Sequence, residues 1–346
     1  MDKKKLITSL IFIIIVGVII TSLTVSKKSY AVGTTLVDTV KALSSGSSWS
    51  AGAKGVYYTN NHEYRYVGAE VNNYVSFNND LYRIIGVFDS NSHGVSGTEM
   101  VKLIRARTLG GASWGVYNTD SSTGTYSGYA SDWTGKSKTS KANLNVLLNE
   151  YFYNKTSTSS TYGDCANWTY SSMGNDYKTK DCSDIITYGI DSSLRGYIEN
   201  ATWYLYGSGT SQSKQNWYLC ERGGNSCTTS GPNTGDASVT SKMGLMYISD
   251  YLYANGYYSS TDTSTQVSGY YGNENWLYKG EEWTQTPYAS DANRVWSVTV
   301  GYVHYDRAYR SYGWRPTFYL KSSVYVTGGN GFFNNPYTLG CDNCTI

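Results

Sequence analysis

The chain has 346 residues, of which 28 are lysine or arginine and 26 are aspartate or glutamate, and its formal net charge is +2. The first 31 residues hold five of the basic residues and one acidic residue, so the remainder carries 23 positive and 25 negative charges. This balance of charges excludes the basic footprint of a nucleic-acid-binding protein. The 36 tyrosines and ten tryptophans supply too much apolar bulk for a largely disordered chain.

The N-terminal segment has the charge pattern of an exported protein. Three lysines at positions 3–5 precede an uncharged run of twenty residues, 6–25, and two more lysines follow it. That length suits a transmembrane anchor, whereas Ser29-Tyr30-Ala31 places small residues where signal peptidase cuts. Residues 1–31 are therefore predicted to be a transmembrane anchor or a signal peptide with a cytoplasmic N-terminus, followed by a secreted or surface-anchored extracellular part.

Residues 32–60 have the composition of a stalk or linker, and one domain is predicted to follow at 61–346. Thr34–Leu43 could form one short helix, and a flexible Ser/Gly run comes after it. From Tyr64 onward the pattern favours strands, in particular over Tyr74–Phe77, Leu81–Phe88 and Met100–Arg105. The polar stretch Asp89–Thr98 is predicted to be a hairpin loop.

The middle of the chain combines two predicted helices with polar insertions. Apolar residues recur at helical spacing in Leu144–Phe152 and again in Leu194–Ala201. Polar, small-residue insertions are predicted at 115–139, 156–180 and 207–241. A short helix or turn around Ser249–Ala254 precedes further strands, predicted at Trp283–Thr286, Val295–Val300, Arg315–Leu320, Ser323–Thr327 and Pro336–Leu339.

Six cysteines lie in the part predicted to be exported. An even number outside the membrane favours disulfides, and proximity favours the pairs Cys165–Cys182, Cys220–Cys227 and Cys341–Cys344. Zinc or redox chemistry at Cys341 and Cys344 is a weaker alternative, because no second Cys/His pair stands at zinc spacing. We expect neither a metal nor a cofactor.

Three sequence features resemble catalytic or metal-binding motifs, and each is incomplete. Gly111–Gly115 matches the nucleophile-elbow string, but loop-like residues follow where a helix is required. Asp89–Gly94 begins like a calcium loop, yet Met100 stands where the bidentate acid belongs. The histidines, His62, His93 and His304, begin no metal motif. No catalytic residue is predicted from these features.

A mixed aromatic and charged segment ends with Tyr312-Gly313-Trp314. Tyrosine, arginine, serine and glycine are typical of binding surfaces, since tyrosine offers a large contact area at low entropic cost and arginine adds bidentate contacts. The alternative is that its tyrosines alternate into a sheet and pack. The predicted ligand-binding residues lie in a loop expected over 303–312: His304, Tyr305, Asp306, Arg307, Tyr309, Arg310 and Tyr312.

Several strings resemble a family of uncharacterised exported proteins of anaerobic gut bacteria. They occur in the family's order between about residues 61 and 340: Tyr64–Ala69, Asn72–Asn78, Leu81–Phe88, Gly244–Tyr251, Trp283–Asp291 and Arg315–Val324, followed by Thr327-Gly-Gly and Pro336-Tyr337. The family's C-terminal region is similar to C-type lectin-like and formylglycine-generating-enzyme-like domains. The resemblance implies an α+β fold with antiparallel sheets, two main helices and a C-type lectin-like core with long loop insertions.

The resemblance brings no activity with it. The Arg-Gly-Gly-Ser-Trp string of the enzyme branch and the Glu-Pro-Asn or Gln-Pro-Asp sugar motifs of the lectin branch are missing. We therefore expect a surface or secreted ligand-binding protein, adhesin-like, whose partner is a protein or glycan at the cell surface and which contacts the membrane through its N-terminal segment. The alternative is an extracellular hydrolase or modifying enzyme whose site is assembled from dispersed residues.

Overall fold

The fold is built mainly from short strands, because β-branched and aromatic residues are frequent along most of the chain. The structure is a computed structural model. It describes residues 33–115, 117–119, 126–128, 133, 141–165, 169–170, 177–178, 182–224, 227–229, 236–257, 259, 274–291, 294–299, 302–308 and 310–344. The described residues from Thr34 onward belong to one compact unit.

The described strands are numbered in chain order. They are β1 Gly55–Tyr58, β2 Tyr64–Val67, β3 Tyr74–Phe77, β4 Asp80–Phe88, β5 Met100–Arg105, β6 Leu109–Ala112, β7 Tyr117–Thr119, β8 Tyr126–Gly128, β9 Thr158–Ser159, β10 Gly163–Asp164, β11 Thr169–Tyr170, β12 Tyr177–Lys178, β13 Ala201–Tyr204, β14 Tyr206–Gly207, β15 Thr228–Thr229, β16 Ser238–Ser241, β17 Glu282–Pro287, β18 Arg294–Thr299, β19 Tyr302–Arg307, β20 Tyr312–Trp314, β21 Thr317–Tyr319, β22 Tyr325–Gly328 and β23 Tyr337–Gly340.

The helices are short. The α-helices are α1 Leu36–Ala42, α2 Ser90–His93, α3 Asn143–Val146, α4 Cys182–Tyr188, α5 Lys214–Glu221 and α6 Ile248–Tyr253, with a π-helix at Leu147–Phe152 and a 3₁₀-helix at Ser192–Tyr197. Sheets with few helices therefore make up the described part of the chain.

Two sheets organise the unit. The larger has the order β1-β2-β4-β3-β23-β22, and β5 pairs with both β4 and β21. The smaller has the order β19-β18-β17-β20-β6, so that β19 lies at its edge. Most pairs are antiparallel, as expected, but β23 runs parallel to β3 and β17 runs parallel to β20.

Buried tryptophans connect parts of these sheets that are distant in sequence. The indole nitrogen of Trp114 donates to the Thr284 carbonyl at 2.9 Å, and that of Trp283 donates to the Ala112 carbonyl at 2.8 Å. Trp276 donates in the same way to Tyr66 O at 2.8 Å. Each ring buries a large apolar area while its polar group is satisfied, so these residues fix distant segments against each other.

Residues 34–60, for which the sequence suggests a stalk, lie on this unit. Three side chains of α1, Leu36, Val37 and Val40, are buried in the core. Strand β1 pairs with β2 along its whole length. Burial of one apolar helix face holds the segment in place, although its Ser/Gly composition suggests flexibility.

Four elements differ from the sequence prediction in part or in full. The second predicted helix is only the 3₁₀-helix Ser192–Tyr197, because Ile198 leaves the helix to form a bridge with Leu320 and β13 starts at Ala201. The first predicted helix is α3 continued by the π-helix. Within the predicted insertion 207–241, α5 buries Trp217 and Cys220, with Ser213 capping its N-terminus. The hairpin loop predicted after β4 contains α2, whose N-terminus is capped by the Asp89 side chain.

Two predicted disulfides are confirmed. Cys220 pairs with Cys227, and Cys341 pairs with Cys344. Cys165 is also disulfide-bonded, whereas the side chain of Cys182, its predicted partner, lies outside the described residues. Disulfides form and persist mainly in oxidising compartments, so these bonds favour such a compartment for this chain. Within the described ranges no helix is long and apolar enough to cross a membrane, and the predicted membrane segment 6–25 lies outside them.

Candidate functional site

The predicted binding segment forms an edge strand and not a loop along its first half. Strand β19 pairs residue by residue with β18, from Arg294 opposite Arg307 to Thr299 opposite Tyr302. Backbone pairing with β18 explains the extended conformation, since every residue of β19 has a partner across the ladder. In the described part of the chain, β18 is the strand that flanks β19, which leaves the other edge of β19 without a strand.

The structure divides the predicted site residues among three neighbouring positions. His304, Tyr305, Asp306 and Arg307 belong to β19, Arg310 lies in the following turn, and Tyr312 begins β20. Tyr309 lies outside the described residues.

Tyr305 is fixed by aromatic packing. Its ring stacks on Tyr288 with centroids 4.1 Å apart and meets the edge of Trp296 at 5.3 Å. The guanidinium of Arg294 lies 5.2 Å from the same ring, and His304 stacks against it at 5.5 Å. Aromatic stacking and cation–π contacts of this kind hold a half-buried tyrosine in one orientation.

Asp306 organises the charged part of the segment. Its carboxylate accepts a hydrogen bond from the Tyr312 hydroxyl at 2.5 Å and lies 3.8 Å from Arg310 Nε. The Tyr312 ring in turn packs on the buried ring of Trp283 at 4.7 Å. Burial and the Asp306 carboxylate raise the pKa of Tyr312, so its hydroxyl stays protonated and remains a donor.

The outer side chains of this segment are accessible. Tyr302 is 37% exposed, and Arg307 and Arg310 are also exposed. Successive side chains of β19 start on opposite sides of the strand, so Tyr302, His304 and Asp306 alternate with Tyr305 and Arg307. We call the exposed edge formed by these residues, Arg310 and Tyr312 the β19 face. It offers aromatic rings, a carboxylate and two guanidinium groups to a partner.

A cluster of buried charges lies elsewhere in the core, and sequence reasoning missed it. Asp250 of α6 pairs with Arg65 Nη1 at 2.5 Å and with Lys102 Nζ at 2.6 Å. Arg65 also binds Glu63 at 2.6 Å, and Glu63 accepts a hydrogen bond from Ser92. These charged side chains are fully buried. The available signal was a cation between apolar or aromatic neighbours in each of two strands, Arg65 in β2 and Lys102 in β5.

Lys102 is enclosed by aromatic rings. Its ammonium lies 4.5 Å from the Tyr247 ring centroid and between 5.2 and 5.4 Å from three others, those of Phe88, Trp203 and Tyr319. Burial lowers the pKa of Lys102 to about 8. The Asp250 carboxylate acts in the opposite direction, because it favours the charged ammonium. The lysine is charged at neutral pH and forms part of the scaffold, since solvent does not reach it.

A small cavity of about 120 Å³ lies between the Ser/Gly run, the β1–β2 turn and two helices. Its described lining is neutral: Ser47, Ser48, Trp49, Thr59, Asn60, Gln215 and Tyr253. Behind this lining, Asn61 donates to the Tyr253 hydroxyl at 3.1 Å, and Gln215 donates to Asn61 at 2.7 Å. The cavity can hydrogen-bond a small polar group. Sequence reasoning missed it because all its lining residues except Tyr253 belong to the predicted stalk and insertion.

The remaining sequence motifs have structural roles. Ser113 of the elbow-like string is buried and accepts a hydrogen bond from Asn143 at 2.5 Å. Asp89 caps α2 by accepting from Asn91 N at 3.0 Å. His93 is buried with Nε2 3.2 Å from Phe88 O, and burial lowers its pKa. Among the residues described, no group of three His, Cys, Asp or Glu side chains is placed to hold a metal ion.

Comparison with protein-family models, with curated proteins and with solved structures finds no match for this chain.

Proposed function

We propose that the chain is an exported ligand-binding protein and that its partner, a protein or a glycan, binds at the β19 face. One observation supports this most: aromatic and charged side chains converge on a sheet edge where the described residues place no further strand. Charged groups are otherwise sparse in this chain, at 16% of residues. Their concentration on one accessible strand and the turn after it is typical of recognition surfaces.

Pre-organisation supports the same conclusion. Tyr305 is held by stacking, and Tyr312 and Arg310 are both held near Asp306. A side chain that is already ordered before binding loses less conformational entropy when a partner arrives. Tyrosine and arginine in such a setting are the residue types that contribute most at binding hot spots.

The resemblance to C-type lectin-like domains enters here as a proposal about the fold. It is supported by the mixed sheets with few helices and by the position of the β18–β19 hairpin before the last strands of the chain. Export is supported by the two disulfides and by the basic and apolar pattern of residues 1–31.

The proposal is tested by binding to a glycan microarray and to an array of extracellular proteins. We expect the triple substitution Tyr302→Ser, Arg307→Ser and Arg310→Ser to weaken capture of any hit at least tenfold, since each anchor contributes roughly 1–2 kcal/mol. A matched control replaces Tyr257, which is 40% exposed, together with the exposed Arg107, by serine. Hits retained by the triple variant, or lost equally by the control, would show that the β19 face is not the binding site.

A further inference from the structure

The hairpin of β22 and β23 carries the most exposed pair of apolar side chains among the described residues. Phe332 is 47% exposed and Phe333 is 64% exposed, and they are adjacent in the turn that joins the two strands. The Phe333 ring makes an edge contact with the Tyr74 ring, with the two centroids 5.5 Å apart. This contact covers only part of the Phe333 ring. Exposing two neighbouring phenylalanine side chains to water is unfavourable in free energy. The pair is therefore typical of a site that binds another apolar surface.

The turn is ordered, so the two rings are held outward. Gly329 and Gly331 have φ angles of +81° and +79°, and a Cβ at Gly329 would lie 1.9 Å from the Pro336 carbonyl oxygen. Asn330 N donates to Asn335 O at 3.0 Å, and Tyr74 N donates to Gly331 O at 2.9 Å. Glycine is required at these two positions, and the resulting turn presents both phenylalanines at its apex.

The N-terminal end of the compact unit pairs with β22, the strand that leads into the same turn. Leu36 N donates to Val324 O at 2.9 Å, and Val326 N donates to Thr34 O at 3.1 Å. Thr35 forms an antiparallel bridge with Tyr325. Going back along the chain from Leu36 to Thr34 therefore follows β22 toward its turn. The sequence before Thr34 contains the predicted membrane segment 6–25.

The hairpin also has the composition that a bilayer interface tolerates. Residues 325–340 contain no aspartate, glutamate, lysine or arginine. The turn carries asparagine amides, which can bind lipid headgroups and water, next to the aromatic rings. Insertion of such a turn desolvates no charge, whereas a charged turn would oppose it.

We propose that Phe332 and Phe333 insert into the interfacial layer of the phospholipid bilayer to which the N-terminal segment leads. Two phenylalanines bind a membrane only weakly by themselves, and the proposal rests on residues 6–25 being the anchor of the exported chain, which would keep the pair at high local concentration at that membrane. The contact would place the turn nearer to the bilayer than α4, because the two lie at different ends of β3. Tyr74, at the start of β3, bonds the turn, whereas Asn78, just after β3, donates to Gly189 O at 2.9 Å beyond the end of α4.

The test uses the full-length protein in phosphatidylcholine liposomes that contain a diazirine-bearing phosphatidylcholine. After illumination and trypsin digestion, lipid adducts are counted by mass spectrometry on peptide 322–346, which carries the turn, and on peptide 181–195, which carries α4. We expect adducts on the first peptide to exceed those on the second by about fivefold or more. The double variant Phe332→Ser and Phe333→Ser should lower the first signal by about the same factor.

A matched control and a rescue variant make the outcome decisive. Ile186 of α4 is 40% exposed, and α4 lies beyond the other end of β3, so Ile186→Ser should leave the adducts unchanged. The variant Phe332→Trp and Phe333→Trp should retain them, because tryptophan favours the membrane interface. The proposal is wrong if liposomes do not retain the protein, or if the serine variant keeps its lipid adducts. It is also wrong if that variant loses the adducts only because it unfolds. A crosslinked dimer that forms through the two phenylalanines without lipid adducts would equally contradict it.

Discussion

At the scale of single residues, Asp250 has the greatest structural consequence. Its carboxylate accepts from Arg65, Lys102 and the backbone nitrogen of Tyr247, at distances from 2.5 to 2.9 Å. A buried carboxylate is costly unless its hydrogen bonds are complete, and here three donors from separate elements complete them. The residue therefore fixes α6 against β2 and β5.

Replacing Asp250 by asparagine should be strongly destabilising. The substitution leaves the buried Lys102 without its anion and removes one of the two carboxylates that Arg65 contacts, and breaking such a buried pair costs about 3–5 kcal/mol of unfolding free energy. Glu99→Gln is the matched control, because Glu99 pairs with Lys41 at 2.6 Å where both side chains are about one-third exposed, and it should cost less than about 1 kcal/mol. Urea denaturation of both variants measures the difference, and equal losses would contradict the importance of burial.

The same residue predicts a pH dependence. Burial acts to raise the pKa of Asp250, but Lys102 and Arg65 outweigh it and lower the pKa to about 2, from 3.8 in a model peptide. Because the folded-state value is the lower one, the carboxylate stabilises the fold above about pH 4, and that contribution, roughly 2 kcal/mol, is lost as the pH falls toward 2. Carbon-13 titration of the aspartate carboxyls, assigned with Asp250→Asn, should give a midpoint near 2. A midpoint at 4 or above would refute the pairing.

At the scale of elements, α5 shows how a polar segment becomes part of the core. Its exposed positions are polar, which is why the sequence predicts an insertion there, but Trp217 and Cys220 are buried. The Trp217 ring meets Trp296 of β18 edge-on at 4.9 Å. The Cys220–Cys227 disulfide joins the last turn of α5 to the chain that follows it.

Removing the Cys220–Cys227 disulfide should destabilise the protein measurably. The bond closes a short loop, with a sequence separation of 7, and chain-entropy estimates for such a loop give about 2–3 kcal/mol. The double substitution Cys220→Ser and Cys227→Ser should lower the unfolding free energy by that amount. The pair Cys341→Ser and Cys344→Ser serves as control and should cost less, because its separation of 3 closes a smaller loop near the C-terminus. The reverse order would contradict this account.

At the scale of the whole molecule, the charge pattern of residues 1–31 and the disulfides both favour an extracellular location for residues 34–346. We expect proteinase K to digest residues 34–346 on intact cells that produce the protein, unless this part is already released into the medium. A cytoplasmic reporter protein should stay protected in the same cells, and lysed cells should lose both. Full protection of the chain in intact cells would contradict export.

Much of the secondary structure could be predicted from local patterns. The runs Tyr74–Phe77, Leu81–Phe88 and Met100–Arg105 coincide with β3, β4 and β5 to within one residue. Alternating β-branched and aromatic residues act over a few positions, so a strand can be recognised without its neighbours. The β19 residues were identified as a mixed aromatic and charged segment, but their extended conformation depends on pairing with β18, which composition does not show.

The sequence by itself determined the apolar N-terminal segment, two of the disulfide pairs and eight of the strands, because each depends on residues close together in the chain. These strands are β3, β4, β5, β17, β18, β21, β22 and β23. Only the tertiary structure decided which strands are neighbours, that Arg65 meets Asp250 across 185 residues, and that Thr34 lies beside β22, which leads to Phe332 and Phe333. The physical reason is that local propensity and loop closure act over short separations. Burial and ion pairing between distant residues are settled only when the whole core packs.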